Sequence, residues 1–138
     1  MLDLYKDLII DHGSNPRNKY VMQDYTNSAK GFNHLCGDSF ELYLKVVGEN
    51  IESISFSGSG CTISVASASL MTIIMKKKTI TSSMELFKKF QDLILNGSTS
   101  SDLDELCILS NVRKFPSRVK CVTLIWHTFN HALNDEVT

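Results

Sequence analysis

Apolar residues recur along this chain with two periods, and the change of period separates strands from helices. From Phe40 to Val47, Phe40, Leu42, Leu44 and Val46 alternate with Glu41, Tyr43, Lys45 and Val47, the pattern of a half-buried strand. Gly48-Glu49-Asn50 reads as a turn, and residues 51–57, with Ile54 and Phe56 on one face, form the next strand. The two make a hairpin, so at least part of the sheet is antiparallel. Elsewhere the period is helical. Residues 2–12 carry Leu4, Leu8 and Tyr5 on one face and Lys6, Asp7 and Asp11 outward, and Gly13-Ser14-Asn15-Pro16 ends that helix. The stretch from Thr62 to Lys77 is helical, with the small residues Ser64, Ala66, Ser67, Ala68 and Ser69 permitting close packing. Lys76, Lys77 and Lys78 fall at its negative end. Ser82 and Glu85 have capping-box spacing and open a third helix. Its apolar face is Met84, Leu86, Phe87, Phe90, Leu93 and Ile94, and Gly97 stops it. A polar loop (98–102) and a short helix from Leu103 to Leu109 follow. Pro116 then opens a last helix to about Leu133, with Val122, Ile125, Trp126, Phe129 and Leu133 as core. Residues 17–35 have neither period and read as loop or irregular strand.

At 138 residues the chain has the size of one ordinary domain, taken as residues 1–138. It is 43% hydrophobic and 21% charged, the balance of a globular protein. A formal net charge of −1 gives no reason to expect nucleic acid or an anionic membrane as partner. No apolar run approaches the roughly 20 residues that span a bilayer. The N-terminal stretch mixes acids among its apolar residues and lacks the features of a secretory signal, so a cytoplasmic location is expected.

Four scattered cysteines are too few for a disulfide scaffold, and no CxxC pair exists to make a zinc ribbon. Three of them lie in settings that favour a thiolate. Cys36 precedes a strand in Asn33-His34-Leu35-Cys36-Gly37-Asp38. Cys61 follows the turn Ser57-Gly58-Ser59-Gly60 and opens a helix, and Cys121 sits in the first turns of another, beside Arg118 and Lys120. Helix N-termini and cations lower thiol pKa, and a thiolate is both nucleophile and metal ligand. With Asp38 the set offers three sulfurs and one oxygen, and an extended Cys36-Gly37-Asp38 would project both donors to one side. Three thiolates and a carboxylate around Zn²⁺ leave a charge of −2, which Arg118 and Lys120 could offset. The carboxylate is the donor such a site would exchange most readily. Against this, free cysteine is among the most buried residue types, so each is equally a core candidate. Cys107, within an apolar helical run, belongs to that second class. His127 and His131, four apart on the last helix, read as exposed or interface residues, His34 as a loop histidine, and His12 as part of a helix end.

Longer motifs then become specific. These are Leu4-Tyr5-x-x-Leu8-Ile9-x-Asp11-His12 with Asn15-Pro16-Arg17-Asn18, Cys36-Gly37-Asp38, Phe56-x-Gly58-x-Gly60-Cys61-x-Ile63-Ser64-x-Ala66-Ser67-Ala68-Ser69, and Phe115-Pro116-x-Arg118-x-Lys120-Cys121. With these the chain resembles the U-type iron–sulfur cluster assembly proteins (the IscU/SufU/NifU N-terminal family) along nearly its whole length. IscU-type scaffolds have histidine directly before the last cysteine. Here Lys120 stands there and the span from Cys61 to Cys121 is longer, both of which look like the SufU branch. The family's usual proline before the Cys-Gly-Asp segment is His34 in this chain.

The resemblance implies an α+β fold: a small, mainly antiparallel β-sheet with α-helices packed against it (SufE/NifU-like) and a zinc site at one exposed end. It implies Zn²⁺ on Cys36, Asp38, Cys61 and Cys121. It implies a sulfurtransferase-like acceptor, a co-substrate and activator of a SufS-type cysteine desulfurase that feeds downstream iron–sulfur assembly proteins. Cys36 would be the sulfur acceptor, freed when a desulfurase side chain takes over a zinc position, and Arg118 and Lys120 would stabilise the anionic site or dock the partner. The alternative is an IscU-type scaffold that assembles and transfers a [2Fe–2S] cluster on the same ligands. A third possibility is a purely structural zinc protein.

Overall fold

The computed structural model describes residues 2–134. In chain order the elements are α1 (Leu2–Ser14), β1 (Asn27–Asn33), β2 (Asp38–Val47), β3 (Asn50–Ser59), α2 (Thr62–Met75), α3 (Ile80–Asn96), a 3₁₀ segment (Ser101–Lys114) and α4 (Pro116–Asn134). The strands form one antiparallel sheet in the order β1-β2-β3, which gives the expected α+β class.

The β2–β3 hairpin follows the alternation. Leu42 pairs with Phe56 and Leu44 with Ile54, and all four are buried. A bulge between Lys45 and Val46 lets Val46 face Ile51. This side of the sheet is covered by α2 and α4, with α1 packed on α2, and α3 and the 3₁₀ segment closing the far side of α4. Phe90 stacks on Trp126 with ring centroids 3.8 Å apart. The Trp126 Nε1–H donates to Ser67 Oγ at 3.1 Å, and the Ser67 hydroxyl donates to the Val122 carbonyl at 2.7 Å.

Several expectations are corrected. The stretch 17–35 contains a regular strand, β1, that lacks the apolar signature because α4 lies directly on it. At Gly31 a Cβ would sit 2.1 Å from Thr128 Oγ1, so the inward positions Asn27, Ala29, Gly31 and Asn33 include small and hydrogen-bonding residues. The glycine-flanked segment before Cys61 is strand rather than turn: β3 runs through Ser59, and Gly58 pairs with Phe40. In α1 the inward face is Tyr5, Leu8 and Ile9, while Leu4 is exposed. The lysines after α2 lie beyond its end, and the Lys77 N–H donates to the Ile51 carbonyl while the Ile51 N–H donates to that of Lys78. The N-cap of α3 is Thr79, which accepts from the Ser82 N–H at 3.0 Å; Ser82 is inside the helix. Gly97 ends α3 at φ 77° as expected.

The short helix around 103–109 is longer and of another kind. Its buried residues are Leu103, Leu106, Leu109 and Val112, a spacing of three that matches the three residues per turn of a 3₁₀ helix. Ile108 falls off that face and is half-buried.

Candidate metal centre

One end of the sheet meets the N-terminus of α2 and the second turn of α4, and the chemistry gathers there. Cys36 lies in the turn joining β1 to β2, where Gly37 takes φ 71°, a backbone that side chains rarely adopt. Cys36 and Asp38 are therefore not in an extended segment. The turn swings Cys36 back over the strand end, and Asp38, the first residue of β2, points inward at 2% exposure. Cys61 is the N-cap of α2, as expected, and Cys121 is buried in α4.

Donor atoms of Cys36, Asp38 and Cys121 lie within 4.8 Å of one another, and the Cys36 and Cys121 sulfurs are 2.8 Å apart. The Cys61 sulfur falls outside this group of three. It turns toward Ser64 Oγ at 3.1 Å, yet stays near enough to act on Cys121. Three side chains that could hold a metal thus gather at one end of the fold, with Cys61 at their border.

Asp38 holds the site to the helix. Its Oδ1 accepts the Cys61 N–H at 2.9 Å and its Oδ2 accepts the Ser64 hydroxyl at 2.6 Å. Cys61 makes no side-chain cap, and the first turn of α2 has no acidic residue. A carboxylate from β2 supplies what an acid at the third helical position does in a capping box, taking the N-cap N–H at the positive end of the dipole. Gly60 makes room for it: a Cβ there would lie 2.5 Å from Asp38 Oδ1 and 2.8 Å from Phe40 Cζ. Asp38 is therefore tied to the start of α2 through both of its carboxylate oxygens. Cys36 is half-buried on its turn beside Leu35, which is 83% exposed.

The surroundings of Cys121 oppose its ionisation. Burial, and then the neighbouring Cys36 and Cys61 sulfurs, push its thiol up to about 12. Like charges packed in a dry site disfavour one another, and only a cation among them favours the deprotonated set. The Asn33 side-chain amide points at the Cys121 sulfur at 4.0 Å.

Beside the sulfurs lies a cleft of about 380 Å³ lined by Leu35, Cys36, Cys61, Ser117, Arg118 and Lys120, among others. Arg118 and Lys120 are exposed, cations at the mouth of a sulfur-rich site. Exposed Phe32, Leu35 and Phe115 belong to the same end. A larger cleft of about 480 Å³ opens elsewhere, between His12, Arg17, Lys78 and Glu105, and contains none of the donors.

The other candidates fall where the sequence put them. His34 is exposed and stacked parallel on Phe32, outside the donor group. His127 and His131 are exposed. Cys107 packs half-buried against the core, its thiol 3.5 Å from the Ser100 carbonyl. His12 does more than end a helix: it is buried, with Nδ1 2.8 Å from Ser69 Oγ, which also accepts the Arg17 N–H. Ser64 and Asn33 escaped the sequence reading. Ser64 was read only as a small residue of α2 and a position in the motif around Cys61, although Ser64, Ser67 and Ser69 each carry a hydrogen bond to a different neighbour.

With this geometry in place, comparison with known proteins gives a consistent result. Residues 4–122 match the NifU-like N-terminal domain family. The chain is 39% identical to the zinc-dependent sulfurtransferase SufU of Bacillus subtilis, over 96% of this chain and 91% of that protein. It is 33% identical to the iron–sulfur cluster assembly scaffold protein IscU of Streptococcus pyogenes, over 94% and 82%. Among solved structures, a candidate iron–sulfur cluster assembly scaffold protein for the SUF system from Fervidobacterium islandicum superposes with a TM-score of 0.89 at 28% identity, over 96% of this chain and 98% of that one. The N-terminal part of a NifU-like protein from Brucella abortus shares the fold, with a TM-score of 0.85 at 16% identity over 95% and 92%. The chain therefore belongs to the NifU-like N-terminal domain family and is a SufU/IscU-like member of it.

Proposed function

We propose that this protein is a zinc-dependent sulfurtransferase of iron–sulfur cluster assembly, taking persulfide sulfur from a SufS-type cysteine desulfurase. The observation that carries the reading is the convergence of Cys36, Asp38 and Cys121, with Cys61 at the border, beside an open cleft. The 39% identity to SufU supports it, as does Lys120 ahead of Cys121. The donor set suits zinc, which takes thiolates and carboxylate in a tetrahedron. Cys36, Asp38, Cys61 and Cys121 would hold the ion, which supplies when bound the positive charge that keeps the sulfurs deprotonated.

The rest follows from the chain's own residues. Cys61 and Cys121 sit on helices, and Asp38 is pinned to α2 by two hydrogen bonds. Cys36 lines the cleft from its turn, beside Cys61, and is the sulfur assigned here to accept from the partner. Its thiolate attacks the outer sulfur of the desulfurase persulfide. A new S–S bond forms to Cys36, the old one breaks, and the desulfurase cysteine leaves as thiolate, so no external oxidant or reductant is needed. Arg118 and Lys120 offset the negative charge brought in by the persulfide. Purified protein should carry about one zinc per chain and stimulate a matched desulfurase. Cys36→Ala should abolish the stimulation; stimulation equal to wild type would sink the acceptor role.

The scaffold reading draws on the IscU relatives. Anaerobic reconstitution separates the two: a stable, transferable [2Fe–2S] cluster at stoichiometric yield, with no desulfurase activation, would favour the scaffold.

A further inference from the structure

We propose that Ser64 is a positioning residue, holding the Asp38 carboxylate in the orientation that keeps it a metal donor. The inference rests on the reading that this site holds zinc. Ser64 is 1% exposed and lies in the first turn of α2, three residues after Cys61. Its hydroxyl has one proton, and the 2.6 Å contact to Asp38 Oδ2 uses it, since an ionised carboxylate can only accept. The Ser64 oxygen therefore presents lone pairs to the Cys61 sulfur, 3.1 Å away. The same carboxylate takes the Cys61 N–H on its other oxygen.

Two pins from one helix, one on each oxygen, fix the carboxylate plane. With the N–H alone, the group turns about its Cβ–Cγ bond. Asp38 belongs to β2, whereas Cys61 and Ser64 belong to α2, so this hydroxyl also ties a donor on the sheet to a donor on the helix. Groups that orient metal ligands in this way typically change metal affinity by about 10- to 100-fold when removed. Ser67, one turn further along, is an internal control. It is equally buried and hydrogen-bonded, but to Val122 and Trp126.

The test is the rate of zinc transfer from the loaded protein to excess chromophoric chelator. Ser64→Ala should release zinc about 10- to 100-fold faster than wild type, and Ser67→Ala within about twofold of it, although both lower the melting temperature. Where Ser64→Ala fails to fold, Ser64→Thr and Ser64→Val replace it, being alike in shape and differing in the hydroxyl. The valine variant should release zinc faster by the same factor. In an Asp38→Asn background the Ser64 effect should fall to about twofold or less, because Ser64 acts through that carboxylate. Equal release from Ser64→Ala and wild type, or from the Thr and Val variants, would overturn the inference. So would an undiminished effect in the Asp38→Asn background. A wild-type chain that takes up no zinc sinks the functional reading instead, and is told apart by metal content alone.

Discussion

Gly60→Ala is the sharpest test of how the site is built. The glycine is there for space rather than conformation, since its φ is not positive. The new methyl would sit 2.5 Å from Asp38 Oδ1 and 2.8 Å from Phe40 Cζ. Ordinary contact is about 3.5 Å, so the carboxylate must retreat by roughly 1 Å and the aromatic ring by somewhat less. Phe40 is 2% exposed and packed edge-on against Phe56, so the ring resists its part of the shift and adds to the overpacking. A retreat of roughly 1 Å breaks the 2.9 Å bond from the Cys61 N–H. Losing a hydrogen bond to a charged acceptor costs about 1.5–3 kcal/mol, and overpacking adds about 1–3 kcal/mol. The variant should lose roughly 2.5–6 kcal/mol, a large share of the total for a domain, and should hold zinc poorly. Gly37→Ala is the contrast. Its φ is 71° but nothing lies within 4 Å of the added carbon, so it should cost only the left-handed strain of about 1–2 kcal/mol. Urea titration of both metal-free variants, with zinc content by mass spectrometry, checks the order. A Gly60→Ala protein within about 0.5 kcal/mol of wild type, with full zinc, would refute the reasoning.

Other outcomes follow from the same structure. Leu109→Ala, at a fully buried 3₁₀ position, should cost about 2–5 kcal/mol by chemical denaturation. Ile108→Ala should cost clearly less, and equal losses would contradict a period of three. Burial, with the Arg17 cation second, holds the His12 pKa below its ordinary 6.5. The unfolded chain then binds the extra proton first. Stability should be complete above about pH 6.5 and fall as pH drops toward the folded pKa, and melting curves should show a flatter pH dependence for His12→Asn. Charge reversal at exposed Arg118 and Lys120 should raise the desulfurase KM by about 10-fold at low salt with little change in kcat. An unchanged KM and salt dependence would remove both residues from docking.

The β2–β3 hairpin and α4 were legible because one face of each meets the core and the other meets water, so burial is written as periodicity. The long 3₁₀ segment was written too, in Leu103, Leu106, Leu109 and Val112, but a spacing of three passes for a helical period over a short window. β1 was not legible. Gly31 is small because Thr128 and Leu124 of α4 press on it, and a strand selected for another element's shape carries no alternation of its own. The cap of α3 was misplaced because Ser82 and Glu85 have the right local spacing, while the Thr79 oxygen already holds the Ser82 N–H.

Which side chains could do chemistry here can be read from the residues alone. Cys36, Asp38, Cys61 and Cys121 each stand in a short motif whose residue types are specific. Their surroundings came from the folded chain. Asp38 became the anchor because the helix beginning at Cys61 brings an unsatisfied N–H and the Ser64 hydroxyl onto its two oxygens. Cys121 became a reluctant thiolate because burial and two neighbouring sulfurs oppose its charge. Cys36 came to face the cleft because the turn around Gly37 carries it there. These properties arise from groups far apart in sequence, and electrostatics and hydrogen bonding act through space, so no local pattern of residues records them.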